Sequence, residues 1–186
     1  MTSTMQNILV YLGSSTPAAK AYTLAVQELG EGLARRGLTL VYGGSNKGTM
    51  TILADAVLHH GGQVIGVSTR ALAAKLLYPG LTQTIVTNNL AERKATMYDL
   101  ADAIVVMPGG CGTWAEFFDA LERVKIAKAH GHPVKPMAVL NLDGYYDGLL
   151  ALLQRSIQIG FSKPRLANML YVAQNVDELF DWLETK

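Results

Sequence analysis

Short apolar runs alternate with longer amphipathic stretches along the whole chain. "NILVYLG" (7–13), "LTLVYGG" (38–44), "QVIGVS" (63–68), "TQTIVTN" (82–88), "AIVVMP" (103–108), "KPMAVLN" (135–141) and "MLYVAQ" (169–174) have the length and branched, apolar character of buried strands. Between them lie segments of helical length. Residues 17–37 predict a helix with Pro17 in its first turn, Gly37 as its stop, and Leu24, Leu29 and Leu33 on its core face. Residues 48–62, 90–102, 145–160 and 176–185 predict further helices, with Asn88 or Asn89 capping the second. A long helix is expected from Thr113 towards Ala129, and residues 69–81 as irregular or briefly helical.

Strands buried on both faces and separated by helices imply a parallel sheet covered on both sides. The expectation is an α/β, doubly wound parallel sheet of about seven strands in a single domain, residues 1–186. Ligands of such sheets sit at the carboxyl ends of the strands, so the loops after the strands carry the functional signal.

Composition narrows the classes. Apolar residues make up 49% of the chain and charged residues 17%, which argues against disorder. A net charge of +1 gives no footprint for nucleic acid or an acidic membrane. A single cysteine, Cys111, rules out an internal disulfide framework and a cysteine-cluster metal site. The N-terminal stretch lacks the basic and long apolar regions of a secretory leader, and no run is long enough to span a membrane, so a cytoplasmic location is expected.

Four strand ends stand out: "GSS" (13–15), "GGSNKGTM" (43–50), "NNLAERK" (88–94) and "PGGCGTWAE" (108–116). Free N–H groups at a helix start favour an anion, and glycine lets backbone approach it closely. Each loop read singly is equally a tight turn; the convergence of several on one edge points to a phosphate. "GCGTWA" fits a dinucleotide fingerprint in spacing, but no acidic residue follows at the distance a ribose contact needs. "GGSNKGTM" lacks the Gly-Lys-Ser/Thr of a P-loop. A mononucleotide or sugar phosphate suits these loops better.

Glu116 has two readings. Thr113-Trp114-Ala115-Glu116 has the form of a capping box, which would spend the carboxylate on the backbone. Beside a phosphate cradle, the same carboxylate could stabilise a ribosyl cation or activate water. Arg93 has the planar fork that binds phosphate or carboxylate, whereas Lys94 could equally be a solvated helix-surface residue. Cys111 lacks an identifiable histidine partner for nucleophilic work, and the four histidines show no metal-ligand spacing. Trp114, Phe117 and Phe118 suit a core or an interface.

These residues resemble the Lonely Guy (LOG) family, also described as possible lysine decarboxylases. "PGGCGTWAE" matches its PGGxGTxxE motif, and "GSS", "LVYGG", "GTM", "VIGV", "ERKATM", "KPMAVLN" and "GYYDGLL" follow in the family's order from about residue 7 to 183. The resemblance implies a Rossmann-like fold, a homodimer with the active site near the interface, and no metal or organic cofactor. The implied reaction splits a cytokinin riboside 5′-monophosphate, or AMP, into free base and ribose 5-phosphate. By position, Arg93 and Glu116 look like the catalytic pair. Gly109, Gly110, Gly112 and Thr113 look like the phosphate loop, with Ser14, Gly44 and Lys94 in support. The chain departs from the family at Leu90-Ala91, where Met-His is usual, at Lys75, near the place of a glutamate, and at Trp114-Ala115, where Leu-Glu is usual. These departures fall on the base side, so a second expectation is a non-catalytic carrier of a nucleotide-like or pterin phosphate.

Overall fold

The computed structural model describes residues 5–186; residues 1–4, the start of the stretch expected to lack leader character, lie outside the described residues. Strands and helices alternate throughout. The first half comprises β1 (Asn7–Tyr11), α1 (Lys20–Arg35), β2 (Thr39–Tyr42), α2 (Gly48–His59), β3 (Gln63–Thr69), α3 (Arg70–Leu76) and β4 (Gln83–Thr87). The second half comprises α4 (Leu90–Leu100), β5 (Ala103–Val106), α5 (Cys111–Ala129), β6 (Met137–Leu140), α6 (Asp147–Gln158), β7 (Tyr171–Ala173) and α7 (Val176–Leu183). Two 3₁₀ turns, Leu142–Gly144 and Pro164–Met169, flank α6.

The seven strands form one all-parallel sheet in the order β4-β3-β2-β1-β5-β6-β7. The direction of winding reverses between β1 and β5, which opens a crevice at their carboxyl ends. Alternate residues of β1 serve opposite faces. Ile8, Val10 and Leu12 pack with Leu29 and Leu33 of α1, Leu53 of α2 and Phe180 of α7. Leu9 and Tyr11 pack with Met97 of α4 and with Phe117, Leu121 and Val124 of α5.

The helices are held in two ways. Thr69, Asn89 and Asn175 cap α3, α4 and α7 through side-chain oxygens. Helices α1, α2 and α5 have no side-chain cap and depend on burial of one face. In α1 that face is Ala25, Val26, Leu29 and Leu33. Leu24, expected in the core, is 62% exposed, because it sits one position off this stripe. Pro17 precedes α1 rather than opening it. Among the described residues no helix is long and apolar enough to cross a membrane.

Candidate active site

A cavity of 760 Å³ occupies the crevice where the winding reverses. Its floor is the carboxyl end of β1 and the loop after it, from Val10 to Ser15. The β5–α5 loop, Pro108 to Thr113, forms one wall together with Trp114 and Glu116. Met50, Leu72, Leu76 and Val26 add apolar lining, and Tyr22 and Tyr145, edge-on to each other at 6.2 Å, complete it.

The glycine loop is built by close approach. A Cβ on Gly109 would lie 2.2 Å from Thr113 Oγ1 and 2.8 Å from the Gly13 nitrogen, so only glycine fits there. Gly110 is the N-cap of α5 and makes no side-chain cap bond. Among the described residues the N–H groups of Gly110, Cys111, Gly112 and Thr113 donate to no backbone acceptor. They are the orphan donors of a 19-residue helix, at its positive end, and their residues line the cavity. A Cβ on Gly110 or Gly112 would meet no protein atom within 4 Å, which leaves their surroundings open.

The "GGSNKGTM" loop behaves differently. Two of the first N–H groups of α2 are already used: Thr49 N donates to Ser15 O at 3.4 Å, and Met50 N to Lys47 O at 3.1 Å. Thr49 Oγ1 also donates to Gly13 O at 2.6 Å. This loop braces the β1 loop, and the α5 start offers more free N–H groups than the α2 start. Gly44 turns towards Gly66 and Leu77, and Gly43 and Ser45 line the cavity in its place.

Thr113 lies in the first turn of α5, which begins at Cys111 rather than at Thr113, so the capping box read from the sequence does not form. Glu116 is therefore free for another partner. Arg93 Nη1 donates to its Oε1 at 2.8 Å, with the two side chains 11% and 14% exposed. Arg93 Nε donates to Val67 O at 2.8 Å. A Cβ on Gly43 would lie 2.1 Å from Arg93 Nη2, so this glycine leaves the guanidinium its room. Among the described residues Nη2 makes no hydrogen bond, and Arg93 lines the cavity. The acid of "ERK" is structural: Glu92 accepts from Asn88 N at 3.0 Å while Asn89 accepts from Glu92 N at 2.9 Å.

Burial pushes the Glu116 carboxyl above its ordinary value, against the opposing pull of Arg93 and Lys94. Lys94 lies outside the cavity lining and binds Asp119 at 2.9 Å, while Arg123 binds the other oxygen of Asp119 at 2.7 Å. Burial raises the Asp119 carboxyl, but the bonds from Arg123 and Lys94 outweigh it and hold the group below its usual range. Ser14 lines the cavity; Lys75 is exposed on α3 and does not. Cys111 is exposed at the cavity wall, with no histidine among the lining residues. Phe117 is fully buried, whereas Trp114 and Phe118 are each a little under half exposed.

The family model described as "Possible lysine decarboxylase" matches residues 50–183. LOG5 of Arabidopsis thaliana, a cytokinin riboside 5′-monophosphate phosphoribohydrolase, is 34% identical over 184 residues, 98% of this chain and 78% of that protein. The probable phosphoribohydrolase LOGL5 of Oryza sativa subsp. japonica is 33% identical over 183 residues, covering 98% and 73%. The chain belongs to the LOG family. Solved structures reproduce the fold of this LOG-family chain. A molybdenum cofactor binding protein from the phototrophic bacterium Rippkaea orientalis superposes with a TM-score of 0.74 at 21% identity, covering 98% of both chains. The molybdenum cofactor carrier protein of Chlamydomonas reinhardtii gives 0.70 at 21%, covering 97% of both. At such identity the likeness is one of fold.

Sequence reasoning missed Asp119, Tyr11, Tyr22 and Tyr145. Asp119 had a signal: Glu116-x-x-Asp119 sets two acids on one helix face. Tyr11 had none. Its ring packs in the core beside Phe117 and Leu121, its buried hydroxyl has no partner among the described residues, and that burial, with Glu116 and Asp119 nearby, pushes its ionisation up.

Proposed function

We propose that the protein hydrolyses the N-glycosidic bond of a nucleoside 5′-monophosphate, a cytokinin riboside 5′-monophosphate or AMP, to free base and ribose 5-phosphate. The observation that carries this reading is the arrangement of the α5 N-terminus and the Arg93–Glu116 pair on one cavity wall. The 5′-phosphate takes the N–H groups of residues 110–113, with Ser14 in support. That places the ribose towards Glu116, one helical turn along α5.

As the C1′–N bond lengthens, positive charge grows on the ribose and the carboxylate of Glu116 stabilises it. Glu116 also positions the water whose oxygen bonds to C1′; the proton released passes to the departing base. Arg93 holds Glu116 ionised despite its burial, and its Nη2 donors bind the substrate. The apolar lining of Met50, Leu72 and Leu76 accepts the base. No lysine lines the cavity among the described residues, which gives the decarboxylase description no Schiff-base candidate.

The protein acts as a cytoplasmic homodimer in this reading. The exposed apolar residues Trp114 and Phe118 of α5, Leu152 of α6 and Phe161, 87% exposed, support a self-association face beside the cavity. The test is steady-state hydrolysis of AMP and N6-isopentenyl-AMP against the matching nucleosides. Base release from the nucleotides alone is expected. Tight nucleotide binding with no base release would favour the carrier reading instead.

A further inference from the structure

Two consecutive tyrosines after β6 grip the glycine loop. Tyr146, 1% exposed, donates its hydroxyl to Met107 O at 2.7 Å. Tyr145, which lines the cavity, donates its hydroxyl to Gly109 O. The turn that presents them is locked: Asn141 accepts from Tyr146 N at 2.7 Å and donates to Asp147 Oδ1 at 2.8 Å. Tyr145 is also set edge-on against Tyr146 at 4.9 Å and against Tyr22 of α1 at 6.2 Å.

The two grips have different consequences. In a trans peptide the carbonyl and the following N–H point in opposite directions. The carbonyl of Met107 precedes Pro108, which has no N–H, so Tyr146 anchors the strand end and orients no donor. The carbonyl of Gly109 shares its peptide with the N–H of Gly110, a donor that has no partner among the described residues. A Gly-Gly peptide is the least restricted by its own side chains. Its orientation is therefore set by what its carbonyl binds, and Tyr145 binds it.

We propose that Tyr145 is a positioning residue for phosphate: its hydroxyl fixes the Gly109–Gly110 peptide so that the Gly110 N–H opens the anion cradle at the start of α5. This rests on reading that loop as a phosphate cradle. Removing the hydroxyl lets the peptide rotate, and affinity falls for ligands that carry a phosphate and for no others.

The experiment is calorimetric titration of Tyr145→Phe and wild type with ribose 5-phosphate, inorganic phosphate and adenosine, beside melting curves. Tyr171→Phe, which removes a hydroxyl bonded to Glu178 beyond the cavity, is the matched control. The expected result is about a fivefold to tenfold weaker affinity for both phosphates in Tyr145→Phe, the size of one hydrogen bond. Adenosine binding and the melting temperature stay as in wild type, and Tyr171→Phe keeps its phosphate affinity. Equal phosphate affinity in Tyr145→Phe and wild type overturns the proposal and leaves the cradle standing. An equal loss for adenosine also overturns it, since the effect would then be general to the cavity. Wild type that binds neither phosphate overturns the cradle reading and this inference together.

Discussion

Arg93 Nη1 reaches Glu116 Oε1 at 2.8 Å, joining the first turn of α4 to the second turn of α5 across the mouth of the sheet. The bond links "ERK" to "PGGxGTxxE", and each arm of it is held independently. Val67 O fixes the guanidinium from the β3 side, and α5 fixes the carboxylate. Removing the negative charge at its centre should therefore affect chemistry more than binding. Glu116→Gln is expected to lower kcat by about 10²–10⁴, while calorimetric affinity for ribose 5-phosphate stays within a few fold.

The pH dependence follows from the charges around Glu116. It acts ionised, so activity is lost as pH falls through its pKa, and burial places that loss above the ordinary glutamate range. Lys94 lowers this pKa and Asp119 raises it. The acid limb of kcat/KM should move to higher pH in Lys94→Met and to lower pH in Asp119→Asn. Full pH profiles of both variants check the opposite signs; a shift in one direction for both contradicts this placement of Glu116.

Two glycines of one loop should respond oppositely to alanine. Gly109→Ala has no room beside Thr113 and Gly13 and should lower the melting temperature as well as activity. Gly112→Ala meets no protein atom and sits in the first turn of α5, so the fold should melt no lower than wild type. Its methyl group intrudes on the anion cradle, and phosphate affinity should fall. Melting curves paired with titrations separate the two cases.

Gly43 tests the guanidinium. Arg93 is tied at Nε and Nη1, so it cannot move aside for a Cβ at 2.1 Å from Nη2 without losing a bond. Gly43→Ala should reproduce the kinetic defect of an Arg93 substitution although residue 93 is intact, and steady-state assay of both variants shows whether the defects match.

Much of this was legible in the residues. The seven strands and their parallel arrangement, though not their order, follow from apolar runs bounded by glycine and polar turns, and "PGGCGTWAE" with "ERK" marks the crevice. What failed was local and has physical causes. Leu24 reads with Leu29 and Leu33 as one apolar face, but the buried stripe runs through Ala25 and Val26 instead, one position away, because small Ala25 packs where the leucine does not. Thr113-x-x-Glu116 fits the pattern of a cap, yet the helix begins at Cys111 with Gly110 as its N-cap. "GGSNKGTM" resembles an anion loop, but the Thr49 and Met50 N–H groups are used by Ser15 O and Lys47 O, and composition does not carry such contacts. Tyr145 and Asp119 act across elements far apart in the chain, so their roles emerge only when the loops are packed together.

The most direct measurement is single-turnover release of free base from AMP and N6-isopentenyl-AMP, with enzyme in excess, for wild type and Glu116→Gln. The account predicts stoichiometric free base and ribose 5-phosphate from wild type and none on that timescale from the variant. Nucleotide recovered intact from wild type, or equal release by both proteins, would contradict it.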